Sequence, residues 1–194
     1  MKNEKERSRT LSTDDLLDGF GGTRKSYERT PAIDGVEVIS LRRHVDDRGL
    51  FLEVFRHRPT HLGTESLAEF CAGVDLAQLN YSLVTAEDHV KGLHYHLKQA
   101  DVWFCPPPFK LKVVLLDLRR ESPTTGAAQV AVLGDGRDAL IKIPAGVAHG
   151  YRPLTVPCGL FYLVTRCFDL ADPDEYRVPW DHAAVRDLWD VRNE

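Results

Sequence analysis

The sequence predicts an all-β domain, a sandwich or jelly roll with short peripheral helices. Two observations predict it. Short alternating or wholly apolar segments recur at roughly ten-residue spacing from residue 32 onward. Turn formers separate them: Pro106-Pro107-Pro108, Ser122-Pro123-Thr124-Thr125-Gly126, Gly134-Asp135-Gly136, Pro144-Ala145-Gly146 and Pro157. With 194 residues the chain suits one domain and a real core.

Residues 1–30 are rich in Lys, Glu, Arg, Ser, Thr and Gly and read as a flexible arm. Within it, Ser12-Thr13-Asp14-Asp15 ahead of Leu16 and Leu17 can start one short helix. Residues 31–194 read as a single domain. Val36-Glu37-Val38-Ile39-Ser40-Leu41 alternates and predicts a strand. Asp46-Asp47-Arg48-Gly49 is a turn, with a strand from Leu50 to Phe55 after it. Residues 59–72 read as a loop with a short helix. Strands follow at 74–83, 89–96, 101–105, 110–118, 128–133, 138–143, 147–153 and 158–168. His182 to Trp189 reads as a short helix or irregular tail.

The hydrophobic fraction is 43%, the charged fraction 28% and the formal net charge −4. With no basic excess, nucleic acid is not an expected partner. A small ligand carrying phosphate needs only a local cluster of Arg or Lys. Cys71, Cys105, Cys158 and Cys167 form no CxxC and read as buried or half-buried thiols. No stretch approaches 18 apolar residues, so no membrane span is expected. Met1 to Thr13 lacks the apolar segment of a signal peptide, and a cytoplasmic location is the expectation.

Two segments carry candidate chemistry. In Lys91-Gly92-Leu93-His94-Tyr95-His96, His94 and His96 stand two apart, so on a strand both imidazoles share a face. Asp101 follows after four intervening residues, enough to cross a turn and begin the neighbouring strand. In Pro144-Ala145-Gly146-Val147-Ala148-His149, a tight turn precedes His149. The combined pattern H-x-H-x4-D and P-x-G-x-x-H resembles the two-part signature of the cupins, whose fold is a double-stranded β-helix jelly roll. In metal-binding cupins these four positions hold a divalent metal, which imidazole and carboxylate suit.

Five segments, two of them overlapping those above, resemble the dTDP-4-dehydrorhamnose 3,5-epimerase family. They are Asp47-Arg48-Gly49-Leu50-Phe51-Leu52-Glu53, Gln78-Leu79-Asn80-Tyr81-Ser82, Lys91 to Tyr95, Val114 to Gly126, and Ile143 to Tyr151. The resemblance implies epimerisation of a nucleotide-linked 4-keto-6-deoxy sugar, through a proton taken next to the ketone. It makes His94 the base, a role suited to an imidazole whose unperturbed pKa is about 6.5. It places the acid thirteen residues beyond His149, at Tyr162; counting back from Asp172-Pro173 places Thr165 there instead. It assigns Arg48, Glu53, Gln78, Asn80, Lys91 and His149 to substrate binding, with Lys91 standing where the family has Arg. It implies a homodimer exchanging N-terminal strands, with 32–56 as the exchanged segment, and no cofactor.

Three departures bear on that assignment. Asp101 stands where the family has a catalytic-site Lys, and an ionised carboxylate cannot donate to an enolate. His96 replaces a Gln. The Asp that positions the family's base has no counterpart after Trp180-Asp181, where Asp187 and Asp190 are weak substitutes. Two of these changes create metal-ligand chemistry at His94, His96, Asp101 and His149. Three readings follow: a nucleotide-sugar epimerase, a metal-dependent cupin of dioxygenase or lyase type, and a non-catalytic sugar-binding cupin.

Overall fold

A strand sends alternate side chains to opposite faces, so its burial pattern reports what covers each face. In the computed structural model, which describes residues 32–56 and 75–189, that alternation builds two facing five-stranded antiparallel sheets. The first has the order β1 (Glu37–Ser40), β9 (Ala139–Ile143), β6 (Asp101–Phe104), β11 (Cys158–Val164), β4 (Gln78–Val84). The second has the order β12 (Tyr176–Arg177), β5 (Lys91–Tyr95), β10 (Val147–Pro153), β7 (Lys110–Asp117), β8 (Ala128–Gly134). A separate hairpin pairs β2 (Arg43–Asp46) with β3 (Gly49–Leu52). This is the expected all-β jelly roll. The described residues belong to one compact unit spanning 31–194.

Three apolar clusters hold it together. Leu111, Val113 and Leu115 of β7 point between the sheets and meet Val147, Ile141 and Leu160. Val114 and Leu116 point the other way, where Val185 and Trp189 of the C-terminal segment cover them. On the first sheet, Val102 and Phe104 face outward beneath Ile39, Leu52 and Val54, while Trp103 faces inward. Strands β6 and β7 are thus buried on both faces, which is why their sequences run apolar rather than alternating. Each fully buried Leu or Val contributes about 1.5–3 kcal/mol.

Several expectations shift. Asp101 begins a strand of the opposite sheet, so residues 96–100 carry the chain across the sandwich and not merely to an adjacent strand. The last long strand stops at Val164, not at residue 168, and Cys167 beyond it is exposed; Cys105 and Cys158 are buried as expected. Strand β12, only two residues long, carries no periodic signal. Of the peripheral helices, a 3-10 turn at Arg186–Leu188 is present among the described residues. The 1–30 arm, the 59–72 helix, Cys71 and Asp190 lie outside the described residues. No described helix is long and apolar enough to cross a membrane.

Candidate active site

The open end of the sandwich holds a cavity of about 700 Å³, walled by β4, β6 and β11 on one side and β5 on the other. On β4 the alternation is inverted. Gln78, Asn80 and Ser82 face the cavity while Leu79, Tyr81 and Leu83 are exposed. The inner face is therefore a polar ladder: the Gln78 amide donates to Asn80 Oδ1 at 2.6 Å, and Lys91 Nζ donates to Ser82 Oγ at 2.8 Å. Ser82 also meets the Tyr151 hydroxyl at 3.1 Å across the two sheets.

Glycines bring the two histidine strands together. A Cβ on Gly92 would lie 2.6 Å from Gly150 Cα, and one on Gly150 would lie 2.6 Å from the Lys91 carbonyl oxygen. Gly92 also has φ of 121°, a conformation that L side chains rarely adopt. The β5–β10 register shifts between His149 and Tyr151, leaving His94 directly opposite His149. The local sequences Lys91-Gly92-Leu93-His94 and His149-Gly150-Tyr151 thus form a close-approach bulge that aims both imidazoles inward.

His94, His96, Asp101 and His149 converge, with one donor atom of each within 4.8 Å of the others. The His94 and His149 ring centroids are 4.3 Å apart. Asp101 receives the Gln99 amide at 2.8 Å and the Trp103 indole N–H at 3.0 Å. Burial opposes its ionisation, but His149 first, then His96 and Trp103, outweigh that and hold the carboxyl well below the usual range. Burial pushes His94 down to about 3, helped by the adjacent His149 and His96, so its imidazole is neutral. Burial, followed by the charges of Asp101 and Glu175, raises the Tyr162 phenol.

Of the residues named from sequence, Gln78, Asn80, Lys91, His94, His96, Asp101 and Tyr162 line the cavity, and His149 lies buried beneath its floor. Thr165 is turned away, its hydroxyl accepting the Ala100 N–H at 2.9 Å. Arg48 and Glu53 do not line the cavity. Arg48, at the β2–β3 turn, pairs with Asp46 at 2.5 Å, and Glu53 pairs with Arg56. Asp187 is exposed on the 3-10 turn, away from the cavity lining.

Sequence reasoning missed Asp174, Gln99, Trp103, Tyr151 and Arg177. Asp174 accepts the backbone N–H groups of Leu97, Lys98 and Gln99 at 2.9, 2.8 and 3.0 Å, pinning the crossing from β5 to β6. Its own carbonyl accepts from His96 Nδ1. No spacing announces a contact spanning 77 residues. Gln99 and Tyr151 sit inside the quoted motifs, and period-two counting from Asp101 or His149 would have found Trp103 and Tyr151. Arg177 pairs with His94 in the β12–β5 register.

A neutral imidazole and a phenol on opposite sheets around one cavity can take a proton from one side of a bound carbon and return one from the other. The profile of the dTDP-4-dehydrorhamnose 3,5-epimerase family matches residues 30–193. The spore coat polysaccharide biosynthesis protein SpsL of Bacillus subtilis is 38% identical over 163 residues, covering 82% of this chain and 97% of that protein. The dTDP-4-dehydrorhamnose 3,5-epimerase of Sinorhizobium fredii is 33% identical over 175 residues, covering 88% of this chain and 85% of that protein. Among solved structures, NovW, a 4-keto-6-deoxy sugar epimerase of Streptomyces spheroides, superposes with a TM-score of 0.66 at 28% identity, covering 84% of this chain and 80% of that one. The fold, the cavity and these likenesses agree: the chain belongs to the dTDP-4-dehydrorhamnose 3,5-epimerase family.

Proposed function

We propose that this chain epimerises a nucleotide-linked 4-keto-6-deoxy sugar at a carbon next to the ketone. The observation that carries the reading is the pairing of neutral His94 on β5 with Tyr162 on β11, facing one cavity from opposite sheets. A ketone acidifies the neighbouring C–H because the carbanion delocalises as an enolate. His94 takes that proton, and the Tyr162 hydroxyl returns one to the opposite face. Lys91, at the cavity rim, supplies positive charge toward a substrate phosphate, and Gln78 and Asn80 supply amides for sugar or base. His149 supports His94 from below. Arg48 and Glu53 fit a substrate role only if the 32–56 segment serves a second copy's cavity, which accords with a homodimer.

The experiment is proton exchange in heavy water with dTDP-4-keto-6-deoxyglucose, following C3 and C5 by NMR. Deuterium is expected at one or both carbons. His94→Ala should abolish uptake, a loss of at least ~10²-fold for a missing general base. Tyr162→Phe should retain uptake but cut formation of the epimer by ~10². No uptake under any condition sinks the epimerase reading for this substrate. Tight binding without uptake would point to a sugar-binding cupin instead. A location in the cytoplasm fits a reading in which the substrate is a nucleotide sugar.

A further inference from the structure

At the cavity floor, the Asp101 carboxylate faces the imidazoles of His96 and of the more deeply placed His149. His149 Nδ1 lies 2.9 Å from the Val147 carbonyl oxygen, and His96 Nδ1 is hydrogen-bonded to the carbonyl oxygen of Asp174. A carbonyl oxygen only accepts, so each Nδ1 carries the proton. With Nδ1 so engaged, Nε2 is the ring atom each histidine has left to offer a ligand. Both Nε2 atoms lie beside a carboxylate: His149 Nε2 is 3.5 Å from Asp101 Oδ2, and His96 Nε2 is 3.8 Å from Asp101 Oδ1. The Gln99 amide nitrogen lies between two of these groups, at 2.8 Å from Asp101 Oδ1 and 3.3 Å from His96 Nε2.

His149 Nε2 has no such neighbour. It is buried and has no hydrogen-bond partner among the described residues. The side chains of His96, Asp101 and His149 are 8%, 2% and 2% exposed, so water does not solvate them freely. An unsatisfied buried polar atom costs about 1–3 kcal/mol. A cation among the three removes that cost. The spacing also suits one, since an ion with tetrahedral bonds of ~2.0–2.1 Å holds its donors roughly 3.3–3.5 Å apart.

We infer that His96, Asp101 and His149 form a binding site for a divalent transition metal, whichever reaction the cavity performs. Two imidazoles and one carboxylate suit Zn²⁺, Fe²⁺ or Co²⁺ rather than Mg²⁺ or Ca²⁺. The backbone carbonyls behind His96 and His149 are the outer bonds that orient metal-ligating histidines. His94 makes no hydrogen bond of that kind among the described residues and is the least buried of the four. It stays out of the ligand set, facing the cavity. A divalent ion held here supplies Lewis acidity toward a bound carbonyl, which a carboxylate at position 101 does not.

The test uses the full chain purified without a histidine tag. It is stripped with chelator and titrated with Co²⁺, followed by calorimetry and visible absorption, with Mg²⁺ as the control. About one Co²⁺ per chain is expected, with ligand-field bands and a raised melting temperature. Asp101→Asn, which keeps the side chain's shape, should weaken Co²⁺ binding at least ~10-fold, and His94→Ala should retain it. Co²⁺ binding no tighter than Mg²⁺ binding overturns the inference in the wild-type protein, without relying on any variant. Undiminished binding by folded Asp101→Asn overturns it too, and loss of binding in His94→Ala overturns the three-ligand assignment. Deuterium uptake by the stripped protein bears on the epimerase reading alone, so the two proposals fail separately.

Discussion

His94 acquires its character from its surroundings. An exposed imidazole is half protonated near pH 6.5, and this one is held down to about 3 by burial and by His149 and His96. Between those values the unfolded chain binds a proton that the folded chain refuses. Stability therefore rises with pH across that window, is complete above about 6.5, and is lost as pH falls toward 3. His94→Asn should flatten the dependence by up to one proton, or ~1.4 kcal/mol per pH unit. Urea melts of chelator-treated protein between about pH 4 and 7 check this, and an unchanged slope would count against His94 as the depressed group. His94 was legible from its motif. Its depressed pKa was not, because that depends on two imidazoles and the packing around them.

At the scale of the element, two features of the family-like motifs turn out to be structural. The segment from Asp117 to Thr124 is a turn organised around one buried carboxylate. Asp117 accepts from Arg119 Nε at 2.9 Å, Arg119 Nη2 at 2.8 Å, Ser122 Oγ at 2.5 Å and Thr124 Oγ1 at 2.7 Å. The Arg119 guanidinium first, against the opposing effect of burial, then the two hydroxyls hold its pKa far below the ordinary 3.8. This depressed acid contributes stability above the unfolded value, and the contribution is lost as pH falls through and below it. Asp117→Asn should cost ~3–5 kcal/mol, the penalty for breaking a buried pair, and should remove part of the acid sensitivity. Thermal melts at neutral and acid pH read both effects.

Gly92 and Gly150 do for the histidine strands what the turn does for β7. Gly150→Ala sets a methyl 2.6 Å from the Lys91 carbonyl oxygen, so the backbones must part. The expected cost is ~1–3 kcal/mol from overpacking, together with displacement of His149. Co²⁺ affinity and the urea midpoint should fall together; loss of stability alone would mean that the bulge does not aim the histidine.

For the whole molecule, the inverted β4 is the informative surface. Among the described residues it is the edge strand of the first sheet, and Leu79, Tyr81 and Leu83 are 60%, 51% and 45% exposed, with Tyr81 packed against Phe161 at 4.7 Å between ring centroids. An exposed apolar row on an edge strand seeks cover. A second copy of the chain is the proposed cover, and it is consistent with cavity-distant Arg48 and Glu53 acting in a partner's site. Light scattering should give twice the chain mass, Tyr81→Lys should shift it toward the monomer, and a monomeric wild type would sink the dimer.

Residue order alone was enough for the sheet-rich class, most strand positions and the shared face of His94 and His96, because period-two alternation is a local property of the chain; that this face is the inner one came from the structure. Resemblance to the cupin signature, rather than spacing by itself, marked Asp101 and His149 as members of the same cluster. Tertiary structure decided the rest. The crossing at residues 96–100 puts Asp101 on the opposite sheet, Asp174 reaches back 77 residues to pin that crossing, and Arg48 and Glu53 stand away from the cavity. Burial left His149 Nε2 without a hydrogen-bond partner among the described residues. Solvent exclusion and long-range contact depend on how distant segments stack, and neither has a period that a linear sequence can display.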